Sequence, residues 1–383
     1  TNMNDFNIDD IISEEQTPLK KMTQKKKYLI VAGISLAVLI ILIILIVVIA
    51  SSSGGSENEN KKENGGGGDN KKDEDEVKRD IIGEIFCMYS ISERNTPVQI
   101  LGKDFKNEGN LDILIDSKKI SFANQYTFSE GGDHIINFQI YDKLNMNNMF
   151  KDVFSLKGAM LSSGNGAKIK SMESAFENTK NLENFVISGF NTDEVTSMKK
   201  MFYNSGVSYI SFLGVNTENV QDFSYLFANI KCETIDLSLF NTIRAINMAH
   251  MFEDCNAVAY LDTQHLDTKN VKDMSYIFSG CSSLTSLDLK NFDTKNVENM
   301  AGMFKDCISI DEIDITNFDT NKVTDISHMF DNCNGIKRLD LSKFNTDNVK
   351  DMSYLFNYCS SLTSLDVSNF VTKEVRDMSF MFN

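Results

Sequence analysis

Apolar side chains recur along the second half of the chain with a fixed beat. Phe150, Phe176, Phe202, Phe227, Phe252, Phe278, Phe304, Phe330, Phe356 and Phe382 stand 26 residues apart, the interval twice shortened to 25. The same apolar columns in every unit mark a stacked solenoid. Within one unit Val297, Met300, Met303 and Phe304 fall at i, i+3, i+6 and i+7, which predicts a short helix with one buried face. Thr294, Thr320, Thr346 and Thr372 precede such segments as N-caps, with Thr192, Thr217, Thr242 and Thr268 in the same column. Each helix is followed by a leucine-rich line, such as Leu284, Leu287 and Leu289, that predicts a short strand. A second aromatic column, Phe190, Phe240, Phe292, Phe318, Phe344 and Phe370, is expected to stack as a spine. One unit buries too little to stand alone, so the units fold as an array.

Upstream the pattern changes. Residues 81–142 hold short β-type runs, among them IIGEIFCMYSI, LDILID and HIINFQIYDKL, with a hairpin signal at Gly131-Gly132. They predict a small all-β domain that caps the first repeat or serves as a second binding module. Residues 143–383 then make about ten repeats, the last incomplete, and the stop at Asn383 in mid-unit predicts a fragment of a longer chain. At the other end, residues 1–27 form a polar tail closing on Lys20, Lys21, Lys25, Lys26 and Lys27. Tyr28 to Ala50 carries no charge, and as a helix would span roughly 35 Å, enough for a bilayer. The run is longer than the apolar core of a cleaved signal peptide. Lysines on its N-terminal side predict a single-pass membrane protein with the N-terminus cytoplasmic. Residues 51–80, rich in Gly, Ser and charge, read as a flexible stalk that holds extracellular repeats away from the lipid. The expected fold class is therefore α/β: a leucine-rich-repeat solenoid with one short strand and one short helix per repeat, preceded by a transmembrane helix and a small all-β cap.

Charge narrows the function classes. The chain has a formal net charge of −16, and residues 81–383 carry 40 acidic against 27 basic side chains. No basic field exists there for nucleic acid or anionic lipid. The candidate site is an acidic stripe, Asp236, Asp262, Asp288, Asp314, Asp340 and Asp366, expected to point outward from the strands. Hydrogen bonds to turn N–H groups would satisfy these carboxylates structurally; alternatively the stripe binds a divalent cation or a basic partner. Cys255, Cys281, Cys307, Cys333 and Cys359 share a column that earlier units fill with Val153, Thr179, Ser205 and Ile230. Buried free thiols fit that column better than disulfides between turns, and without a CxxC pair a metal site is not expected. His134, His250, His265 and His328 fall in no common column, and no catalytic motif, P-loop or cofactor signature is present. No N-x-[ST] sequon occurs in residues 51–383.

The consensus LxxLDLSxFxTxxVxxMxxMFxxC, nearly verbatim at 284–307 and 336–359, resembles the BspA-like leucine-rich repeats of microbial surface proteins. The resemblance implies a right-handed solenoid that adheres to or recognises ligands without catalysis. The functional expectation is a cell-surface protein whose array binds an extracellular protein or glycan. The alternative is a structural or spacer element of a coat, associating laterally through its repeats.

Overall fold

The computed structural model of the protein describes residues 79–106 and 109–383. The expected tail, the helix expected over Tyr28 to Ala50 and nearly all of the expected stalk lie outside the described residues. Among the described residues no helix is long and apolar enough to cross a membrane. The expected single-pass membrane protein with extracellular repeats therefore finds no span among the described residues, and the segment it rests on lies outside them.

The described residues contain eleven strands and no helix, so the fold is all-β rather than α/β. In chain order the strands are β1 (Gly83–Ile91), β2 (Pro97–Gln99), β3 (Leu111–Ile115), β4 (Lys118–Ile120), β5 (Gln125–Thr127) and β6 (Gly132–Ile140). They continue with β7 (Leu144–Asn145), β8 (Leu156–Ser162), β9 (Ile169–Ser171), β10 (Asn184–Ser188) and β11 (Tyr209–Leu213). Seven form one sheet in the order β11-β10-β8-β1-β6-β3-β4, while β2 pairs with β5 and β7 with β9. In β1, residues from Ile85 to Ile91 alternate buried and half-buried, putting Ile85, Cys87, Tyr89 and Ile91 into the core. β1 pairs antiparallel with β8, and β8, β10 and β11 pair in parallel, so the sheet of residues 83–140 runs on into the first repeats.

Each repeat makes one coil, and successive coils bond to each other where helices were expected. The N–H groups of Met300, Gly302, Phe304 and Asp306 donate to the carbonyls of Asp325, Ser327, Met329 and Asp331 in the next coil at 2.7–3.0 Å. The alternate N–H groups, of Met303, Lys305 and Cys307, close tight turns onto Met300, Gly302 and Phe304 at 3.0–3.3 Å. A helix would need every N–H to reach back four residues. Two left-handed residues per coil prevent it: Gly302 and Asp306 have φ of 60° and 59°, and His328 and Asn332 have 57° and 59°. Apolar spacing of 3, 3 and 1 thus records a succession of turns with a buried inner side, and helical periodicity cannot be told from it.

The threonines are not N-caps either. The Thr294 hydroxyl donates to the Asp319 carbonyl at 3.0 Å and accepts the Asp319 N–H at 2.8 Å, so it clamps one backbone residue of the next coil from both sides. Thr192, Thr217, Thr242, Thr268, Thr320 and Thr346 make the same clamp. From Thr192 to Thr346 every one of them is 1–3% exposed. Inside the coils the continuous ring stack runs along the Phe150 to Phe382 column, with neighbouring centroids 5.1–6.2 Å apart and planes within 22°. The second column, from Phe190 to Phe344, is buried too, but the spine belongs to the first. Beyond β11 the leucine lines are not strands; between them only Glu312 and Arg338 form an isolated bridge.

Candidate functional site

The acidic stripe is built into the backbone. Each of Asp236, Asp262, Asp288, Asp314, Asp340 and Asp366 accepts, on one carboxylate oxygen, the N–H two residues ahead at 2.9–3.2 Å. Asp288, for example, holds Lys290 N–H and so heads the turn that Phe292 N–H closes onto the Leu289 carbonyl at 3.0 Å. This hydrogen bonding holds the carboxyls of Asp314, Asp340 and Asp366 below the usual range, with the following Thr or Ser as the first cause. Five of the six carboxylates are exposed and Asp262 is half-buried, and all six lie on turn corners and not on the expected strands.

Two further columns do the same work and were missed in the sequence. Asp222, Asn247, Asp273, Asn299, Asp325, Asp351 and Asp377 each accept the N–H two residues on at 2.8–3.0 Å. Asn191, Asn216, Asn241, Asp267, Asp293, Asp319 and Asn345 form the third set at 2.7–3.2 Å. Their signal was the recurrent Asp or Asn before Thr and before the Met-Ser pairs. With three such corners per coil, these Asp and Asn side chains are committed to folding the chain.

One column that does differ corrects the reading of the histidines. His250 and His328 occupy the same position three coils apart, at the first of the two left-handed residues of each coil. Tyr225, His250 and Tyr276 stack with centroids 4.2 and 4.9 Å apart; His328, Tyr354 and Phe380 stack at 4.5 and 4.9 Å. Gly302 interrupts the ladder, and a Cβ there would lie 2.2 Å from the Tyr276 ring. His250 Nδ1 is 3.0 Å from Glu253, and His328 Nδ1 is 2.8 Å from Asp331. The rings spend their faces on one another, which makes this ladder a brace more than a receptor.

All seven cysteines are free, six of them buried. Cys281, Cys307, Cys333 and Cys359 each donate a thiol hydrogen bond to a phenylalanine carbonyl of the preceding coil at 3.0–3.1 Å. Burial pushes the thiols of Cys232 and Cys281 up to about 12 and that of Cys359 up to about 11. An unfolded thiol titrates near ~8.5. The stability these groups contribute is thus complete below ~8.5 and is lost as pH rises toward 11–12, because above ~8.5 the unfolded chain releases protons that the folded chain retains. Urea midpoints should therefore fall steadily from pH 8 to pH 10.5, with Cys281 alone costing about 1.4 kcal/mol per pH unit past ~8.5. Cys281→Ala should flatten that slope; an unchanged slope would contradict the assignment.

The hollow with uncommitted charge lies at the start of the repeats. A groove of about 790 Å³ is lined by Ser90, Ser92, Glu93 and Thr96–Gln99 on one side, and by Phe154, Lys180, Glu183 and Lys231 on the other. Phe154, Lys180, Gly206 and Lys231 are the same position in four successive coils. Lys180 and Lys231 form no ion pair among the described residues, whereas Lys143, Lys151, Lys168 and Lys295 are each paired with a carboxylate. A shallower hollow of about 490 Å³ beside β3 and β4 contains Asp112, which Lys119 and Arg79 already neutralise at 2.9 and 3.3 Å.

A family model described as "Mycoplasma protein of unknown function, DUF285" matches residues 143–263, 246–339 and 309–383, which together cover the whole repeat array. Comparison with curated proteins and with solved structures finds no match.

Proposed function

We propose that this chain, which belongs to the DUF285 family of Mycoplasma proteins of unknown function, is a non-enzymatic recognition scaffold whose repeat array binds a protein or a glycan. The finer likeness to BspA-like repeats favours the same reading. The observation that carries it is a division of labour among columns. Asp, Asn, Thr and Phe columns repeat from coil to coil and are consumed by turns, clamps and the ring stack. The column of Phe154, Lys180, Gly206 and Lys231 changes at every step and opens into a groove. Repeats of this kind recognise partners through side chains varied on a constant frame. Arrays of proteins and glycans probed with the full chain should yield a saturable, stoichiometric ligand. Sedimentation showing only self-association, with no ligand retained on either array, would favour a lateral coat element instead.

A further inference from the structure

Resting on the recognition role just described, we infer that the groove beside β2 binds an acidic saccharide, a sugar chain carrying carboxylates. The ammonium groups of Lys180 and Lys231 rise from coils two steps apart. At a spacing of ~4.8 Å per step, their backbones are separated by roughly 10 Å. Gly206 stands between them, and its lack of a side chain keeps the gap open. That glycine is enforced by packing: a Cβ would lie 2.0 Å from the Lys180 carbonyl oxygen. The opening between the two lysines is therefore part of the fold.

Three features select the ligand. On a chain of net charge −16, two unpaired ammonium groups on one concave wall form a local site for anionic groups. Glu93 and Glu183 line the same groove and would repel a densely charged polyphosphate, but they accept hydrogen bonds from hydroxyl groups. Phe154, 53% exposed, supplies an apolar wall suited to the C–H face of a sugar ring. A neutral sugar leaves the lysines unused, and a polyanion without hydroxyls leaves the glutamates opposed. A chain of uronic acid rings engages all three.

Calorimetric titration of the full chain with trigalacturonate, maltotriose and tripolyphosphate at one ionic strength tests this. Trigalacturonate is expected to bind saturably at one site, with maltotriose and tripolyphosphate each at least ~10-fold weaker, about 1.4 kcal/mol. Lys180→Ala/Lys231→Ala should lower trigalacturonate affinity at least ~10-fold with an unchanged melting temperature, and the Arg/Arg pair should restore most of it. Lys337→Ala, a distant lysine 3.4 Å from Asp311, should change nothing. Equal binding of maltotriose, tighter binding of tripolyphosphate, or indifference to the double substitution would each overturn the assignment. Should trigalacturonate fail while the arrays return a protein ligand, the acidic saccharide falls and the recognition role stands; failure of both removes both.

Discussion

Phe304→Ala is expected to cost about 3–5 kcal/mol, the range for removing a fully buried aromatic ring. Phe304 is 0% exposed and lies between Phe278 and Phe330, with ring centroids 6.0 and 5.6 Å away and planes within 16°. Its truncation opens a cavity at a point where two ring contacts end at once, and each such contact is worth about 0.5–1.5 kcal/mol beyond burial. Coils interact with their nearest neighbours, so the defect also uncouples the coils before it from those after it. Urea unfolding of the variant should therefore separate into two transitions, or lose cooperativity, in addition to shifting its midpoint. A single unbroken transition displaced by less than about 1 kcal/mol would show that the stack does not carry the array.

Thr294→Val should also cost heavily, at about 2–6 kcal/mol, although valine keeps the shape and the burial. The hydroxyl is 1% exposed and serves the Asp319 N–H and carbonyl together. Valine strands both backbone groups, and an unsatisfied buried donor or acceptor costs about 1–3 kcal/mol. Thr294→Ser retains the clamp and should lose less than about 1.5 kcal/mol, the price of one buried methyl group. Amide hydrogen exchange gives a local readout: Asp319 should lose protection in the valine variant and keep it in the serine variant. Equal stability of the two variants would mean that the clamp is ornamental.

These two columns also show what the sequence could and could not convey. The spacing of the phenylalanines stated which side chains share an environment, and Phe150 to Phe356 are indeed buried, ring upon ring. The column of small side chains that includes Cys281 likewise indicated free buried thiols. Apolar spacing reports burial and is silent on where an N–H points. The segment from Val297 to Phe304 satisfies a helical template, yet its N–H groups divide between turns and the adjacent coil. Left-handed conformations at Tyr276, Tyr354 and Phe380, residues that seldom adopt them, could not be anticipated from residue type. The histidine column stayed hidden because tyrosine and glycine fill the two coils between His250 and His328. The groove was invisible for a different reason: Glu93 and Lys231 are far apart in the chain, and only the docking of the β2 region on the first coils brings them to one hollow.

The hydroxyl clamp and the ring stack have a consequence for how such a gene can change length. From each clamping threonine to the phenylalanine that follows there are always ten residues, from Thr192 and Phe202 through Thr346 and Phe356. The two shortened coils lose their residue elsewhere, on the arc between Phe202 and Thr217 and on that between Phe227 and Thr242. Insertions and deletions are thus confined to one arc, since a slip in the other would misalign every bond to the adjacent coil. Recombination can add or drop entire coils, or trim the permissive arc by a codon, and still leave a sequence that folds.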